Sequence, residues 1–205
     1  MAFIDYDTIA TITDKRIVKS RKVIFESLIS LLAEKPLESI TVTELCKKAM
    51  LNRKTFYTQF SSVSVAFESL QVNIIRTYLQ KLMAADILSS GGFHPAEFIR
   101  FTDKLINENI ENFNIIYSHI RRGNYIKLLG TDLGSLGNSF LRQNHSNEFS
   151  KSYVSALVFT VTGLLNFYFD WMDNDRPLPL NELASLADSL IAYPLGDIVN
   201  LRRLH

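Results

Sequence analysis

Disulfides are the first thing this chain lacks. It has one cysteine, Cys46, in 205 residues, which excludes an internal bridge and any multi-cysteine zinc site. Glycine and proline are scarce, at eight and five, so long stretches run without punctuation, which favours helices. Sustained period-2 alternation is missing, as are Asn-Gly and Asp-Gly hairpin signals. Repeats and low-complexity segments are absent too. Apolar residues make up 47%, too many for a disordered chain and enough for a sizeable core. The expectation is an all-α protein of about nine helices.

Catalytic constellations are also lacking. There is no GxGxxG, P-loop, GxSxG or HExxH. His94, His119, His145 and His205 are scattered. Gly130, Gly134 and Gly137 lack the lysine and preceding strand of a phosphate loop. Asp170, Asp173 and Asp175 lack the glycine and terminal glutamate of a calcium loop. The reading is a non-enzyme with no metal and no cofactor. The N-terminus, MAFIDYDTIATITDK, is acidic without an apolar centre. It does not resemble a signal peptide, and a reducing cytoplasm is the expected compartment.

What is present is uneven charge. Lys15 to Phe60 holds ten Lys/Arg against four Glu, while Ser61 to His205 holds twelve against fourteen acids. A basic first quarter suits a polyanionic partner; a chance imbalance suits the same numbers.

Periodicity places the helices. The first spans about Lys15–Glu34, with Ile17, Ile24, Phe25, Leu28 and Leu32 on one face. Its start carries Lys15, Arg16, Lys19, Arg21 and Lys22, where the helix dipole favours anions. Thr41 and Glu44 match a capping box for a second helix reaching about Ala49. Leu45, Cys46 and Ala49 face inward, with Cys46 a packing residue rather than a reactive thiol. Met50-Leu51 forms a turn, and Asn52 caps a third helix, Arg53 to about Gln59. On that helix Phe56 and Phe60 lie on one side, Lys54 and Thr58 opposite, and Thr55 and Tyr57 on the flanks.

Further helices are expected over about Ser62–Leu88, Pro95–Asn109 and Glu111–Ile120, with a loop at Ser89-Ser90-Gly91-Gly92. A glycine-weakened stretch follows, IKLLGTDLGSLGNSFLRQ, and then Ser152–Trp171 and Leu180–Ala192. Ser152–Trp171 is long enough to span a bilayer. Asn166, Asp170 and several hydroxyls weigh against a membrane. The alternative is a helix buried on most sides, one of them by a second chain.

Two short helices joined by a tight turn on a third describe a helix-turn-helix, whose last helix enters a DNA major groove. Arg53 and Lys54 suit guanine edges. Thr41 or Thr43, Thr55, Tyr57, Thr58 and Lys19 suit phosphates, and Lys47 and Lys48 extend the basic surface. From about Lys15 to Leu70 the chain resembles the TetR-type transcriptional regulators. The match rests on Leu37-Glu38-Ser39-Ile40-Thr41-Val42 and on Thr55-Phe56-Tyr57-Thr58-Gln59-Phe60. Farther on, INENIENFNIIYSHI and FYFDWMDNDRPLPLNELASL are similar to the branch that includes the dihydroxyacetone-kinase operon regulators.

The resemblance implies residues 1–65 on double-stranded DNA and residues 66–205 for dimerisation. It implies a homodimer paired through the last two long helices, about Tyr153–Trp171 and Leu180–Ala192. Val154, Leu157, Val158, Val161, Leu165, Leu183, Leu186 and Leu190 would then form the interface. It also implies a small-molecule effector pocket, for which Phe101, Tyr117, His119, Phe140, Phe159 and Asn166 are candidates. The same branch includes a co-activator working through a protein co-regulator, which leaves that role open. Two departures from the family pattern stand out. Met50 occupies the turn glycine, and Ser61-Ser62-Val63-Ser64 lacks the lysine that begins the fourth helix.

Overall fold

A computed structural model describes residues 15–85, 87, 93–120, 126–135 and 148–200. Every regular element among the described residues is helical. In chain order these are α1 (Lys15–Leu32), a 3-10 turn at Leu37–Ser39, α2 (Val42–Lys48) and α3 (Arg53–Tyr57). There follow α4 (Val63–Ala84), α5 (Pro95–Asn107), α6 (Ile110–Ser118), α7 (126–135), α8 (Glu148–Asp173) and α9 (Leu180–Asn200). The helix ends differ modestly from the periodicity, except that α9 continues past Ala192 to Asn200. The Ser89–Gly92 stretch and Gly137 lie outside the described residues. Two compact units are drawn from Met1–Leu79 with Ile106–Leu128, and from Gln80–Leu105 with Leu129–His205.

The first unit is built around the apolar face of α1. Ile24, Phe25, Leu28 and Leu32 are buried with Leu45, Cys46, Phe56, Phe60, Phe67 and Leu70. From far along the chain, α6 adds Ile116 to this core. Burial pushes the Cys46 thiol pKa up, so it stays protonated and packs as a small apolar group. At the start of α2 the capping box is complete. The Glu44 backbone N–H donates to Thr41 Oγ1 at 3.2 Å, and the Thr41 backbone N–H donates to Glu44 Oε2 at 3.0 Å.

The turn after α2 shows what Met50 does there. Its φ is 51°, the left-handed conformation that usually calls for glycine. The Met50 N–H donates to the Lys47 carbonyl at 3.2 Å, and the Leu51 N–H to the Cys46 carbonyl at 2.9 Å. This is a Schellman ending with methionine at the left-handed position. The Met50 side chain is 89% exposed, so packing does not compensate for the strain.

In the second unit, a polar fastening joins α5 to each of the two last helices. Asp188 on α9 accepts from the Ala96 N–H at 2.8 Å, satisfying a first-turn donor of α5. The buried Tyr168 hydroxyl on α8 donates to Asp103 Oδ1 at 2.9 Å. Burial first, and Asp103 next, push that phenol well above its ordinary pKa. Past α8, Asp175 and Arg176 both have positive φ, 57° and 53°. Arg176 lies over the Trp171 ring at 5.3 Å, and Trp171 Nε1 donates to the Leu178 carbonyl at 2.9 Å. These contacts hold the strained turn in place.

The glycines of α7 have a packing role. A Cβ at Gly130 would meet Thr162 at 3.4 Å and Val158 at 3.6 Å; one at Gly134 would meet Val158 at 3.8 Å. They let α7 approach α8 closely.

The expected interface positions differ in exposure within one protomer. Val154, Val161, Leu165 and Leu183 are buried inside the protomer. Leu157 and Val158 are half-buried. Leu186 and Leu190 are open, at 41% and 58% exposed. Within the protomer α8 leaves one side open. Ser152, Ser155, Phe159, Gly163, Asn166 and Asp170 form an exposed stripe along it. Periodicity identifies apolar positions but cannot say which neighbour covers them.

Two substitutions test these backbone readings by thermal and urea unfolding. Met50→Gly relieves the left-handed strain and raises stability by about 1 kcal/mol. Gly134→Ala meets only ordinary contact distance and raises it by up to about 1 kcal/mol, through helix propensity.

Candidate nucleic-acid interface

The short helix α3 has five residues and could not persist alone. Its inner side is fixed by aromatic packing. Phe56 and Phe60 are buried with ring centroids 5.7 Å apart, and Phe25 of α1 lies 6.0 Å from Phe60. Arg21 of α1 stacks over Phe60 at 5.2 Å, and burial lowers its pKa. It therefore belongs to the packing more than to the basic surface where its spacing put it. Helical bonding continues past Tyr57: the Thr58 N–H donates to the Lys54 carbonyl and the Phe60 N–H to the Phe56 carbonyl.

The outer side of α3 is open. Arg53, Lys54, Tyr57 and Thr58 are exposed, and Thr55 is half-buried. Asn52 caps the helix, its Oδ1 accepting from the Lys54 N–H at 2.9 Å. Arg53 lies 5.8 Å from the Tyr57 ring, and donation to the Tyr57 hydroxyl oxygen first of all pushes the guanidinium pKa above its ordinary value. A planar donor fork and a phenol are thus held together on one flank.

Of the remaining candidates, Lys19 and Thr43 are exposed. Among the described residues, Lys19, Lys47 and Lys54 have no ion-pair or hydrogen-bond partner for their ammonium groups. Lys48 differs: it pairs with Glu34 at 2.6 Å, which takes its charge out of the basic surface. The Thr41 hydroxyl also has a partner, donating to Glu44 Oε2 at 2.8 Å, so Thr43 is the better hydroxyl donor at this end of α2. Thr58 Oγ1 donates to the Thr55 carbonyl at 2.7 Å, leaving it only acceptor capacity toward a ligand.

Sequence reasoning missed a groove of about 370 Å³ between α1 and α3. Its rim carries Arg16 and Lys19 from α1 and Thr55 and Thr58 from the α3 side, and Ile17 and Leu51 line its floor. Gln59 bridges the two helices there, donating from Nε2 to Ser20 Oγ at 2.6 Å. Ser20 in turn donates to the Ile17 carbonyl at 3.0 Å. The one available signal was the three-residue spacing of Arg16 and Lys19 on α1.

The effector candidates are scattered. Tyr117 stacks on Phe113 with centroids 5.2 Å apart, and His119 Nδ1 lies 2.8 Å from the Ile115 carbonyl at the end of α6. Both belong to the first unit; Phe101, half-buried, belongs to the second. Phe159 is 80% exposed and Asn166 is exposed. Neither lines an enclosed cavity within its own unit. Phe140 lies outside the described residues. Among the described residues no group of three or more His, Cys, Asp or Glu could hold a metal ion.

No family model matches the chain, and neither does any curated protein. Among solved structures it is similar to the "Clostridium perfringens putative fatty acid metabolism regulator". Identity is 17%, over 83% of this chain and 97% of that one, with a TM-score of 0.46. At that score the likeness carries no argument about function.

The cap of α2 is sensitive to pH. Lys35 lies 2.5 Å from Glu44. With the Thr41 backbone and hydroxyl it holds the Glu44 pKa down to about 2, from an ordinary 4.5. A depressed carboxylate stabilises the fold above its unfolded pKa, and that contribution is lost as pH falls through the folded value. Urea titrations between pH 6 and pH 2 are expected to show wild type more stable than Glu44→Gln at the upper end. The gap should close toward the lower end.

Proposed function

We propose that this chain is a homodimeric helix-turn-helix transcriptional regulator of the TetR type, binding a palindromic operator in double-stranded DNA. One observation carries the reading: a five-residue helix, anchored by Phe56 and Phe60, turns Arg53, Lys54 and Tyr57 outward beside uncompensated cations. A projecting helix end with a donor fork fits the major groove, and the flanking Lys19, Thr43 and Lys47 fit phosphates. In this reading the protein acts in the cytoplasm. The second unit pairs the copies, and a small-molecule effector alters the separation of the two recognition helices and so their fit to two half-sites.

A second reading is a co-activator subunit that works through a protein co-regulator with little DNA affinity of its own. It is favoured by the pairing of Lys48 with Glu34 and of Lys35 with Glu44. The start of α4 favours it too: Ser62, not a cation, caps that helix, its hydroxyl accepting from the Val65 N–H at 3.2 Å.

Selection from a random duplex pool, followed by anisotropy titrations across salt, separates the two. The DNA reading expects a palindromic site whose affinity falls steeply with salt. Lys54→Ala weakens binding by about 1–3 kcal/mol if it reads a base, or lowers the salt slope by about one if it meets a phosphate. No duplex binding at low salt, with a second protein co-purifying, favours the co-activator.

A further inference from the structure

The α1–α3 groove has two kinds of lining, and an occupant must match both. Ile17, Val23 and Leu51 are apolar, while Arg16 and Lys19 bring two cations to one edge. Gln59 lines the groove as well. Its Nε2 is used on Ser20, and its Oε1 is enclosed with no donor among the described residues. An apolar floor, a cationic edge and an acceptor short of a donor suit an acidic peptide with apolar side chains. A phosphate alone would match the edge and leave the floor uncovered.

The chain carries such a peptide next to the groove. Residues 1–14, MAFIDYDTIATITD, hold Asp5, Asp7 and Asp14 and no Lys or Arg. Phe3, Ile4, Tyr6, Ile9 and Ile12 are spread among the acids. In extended form Ile4 and Tyr6 share one side and Asp5 and Asp7 the other, the same division as floor and edge. The segment is long enough to reach. The groove runs along α1 from Arg16 to Val23, about 10 Å at the helical rise, and ten extended residues cover about 33 Å. A tether this short also holds the segment at an effective concentration in the millimolar range. A contact too weak to persist between separate molecules is populated under that condition.

We propose that residues 1–14 fold back into the α1–α3 groove, with Ile4 and Tyr6 on its floor and Asp5 and Asp7 on Arg16 and Lys19, and so cover a cationic edge offered to DNA. The contact stands on the groove and the segment; its regulatory effect rests on the DNA reading of the preceding section. Duplex and segment then compete for Lys19, Thr55 and Thr58. Arg53, Lys54 and Tyr57 lie outside the groove lining. The segment therefore lowers affinity for all duplexes alike and leaves base preference unchanged.

The test uses the full chain with Cys46→Ala and a nitroxide on Thr8→Cys. The amide signals of Leu51, Thr55 and Thr58, across the groove from α1, are expected to broaden. Adding Ile4→Ser with Tyr6→Ser to the labelled chain is expected to restore them. In the unlabelled chain that pair leaves the charge as it is. It should raise affinity for an arbitrary duplex at low salt about tenfold, the factor for a groove filled about nine-tenths of the time. Asp5→Asn with Asp7→Asn should raise it at least as much. Broadening that persists in the serine pair, or no broadening at all, would overturn the contact. A gain in affinity from the asparagine pair alone would reduce the segment to its charge and overturn the proposal too. If no form binds a duplex, the regulatory effect falls together with the DNA reading, and restored signals in the serine pair still uphold the contact.

Discussion

The packing of Phe56 and Phe60 against Phe25 is the constraint on which the first unit depends. Five residues cannot nucleate a helix that survives in water. Here the two rings fix α3 at a defined angle to α1, and Asn52 satisfies a donor at its start. The outer residues are then positioned by the inner ones. Because Phe56 is held, Arg53 and Tyr57 can occupy neighbouring positions on the open flank without contributing to stability themselves. The same logic explains why Arg21 lies over Phe60 instead of in solvent. A cation that covers a ring from outside shields the anchor while keeping its head partly wet.

Electrostatics in the first unit work against local preference. The first turn of α1 has no acid, although the dipole favours one there. The Glu residues of this region go elsewhere. Glu34 and Glu44 take Lys48 and Lys35 and fasten the far end of α1 to α2. The effect is a division of charge. Cations near the α1–α2 connection are compensated and hold the fold, while Lys19 on the α1–α3 groove, Lys47 on α2 and Lys54 on α3 are exposed. Exposed pairs of this kind add little stability each. Their larger effect is to set which part of the surface is positive.

Local chemistry was legible in the sequence where it was complete within a few residues. Thr41 and Glu44 announced the capping box, Asn52 the next cap, and the four-residue spacing of Phe56 and Phe60 the anchored side. The trouble at Met50 was legible only through the resemblance, whose pattern has glycine at that turn. Legibility ended where two elements distant in the chain compete for one side chain. Nothing local says that Lys48 reaches Glu34, that Gln59 reaches Ser20, or that α6 lies on α1. Nor does apolar periodicity say whether Val161 faces α8's own protomer or another copy, because both answers use the same residue type.

That ambiguity is sharpest in α8. Length and composition would let Val154–Asp173 cross a membrane. What separates the alternatives is how residue types are distributed around the helix. The side that the protomer covers holds Val161, Leu164, Leu165, Tyr168 and Phe169. The open side alternates one large ring and one glycine with hydroxyls, an amide and a carboxylate. A lipid-facing side would be apolar throughout, so this distribution of residues speaks for water or protein beside it.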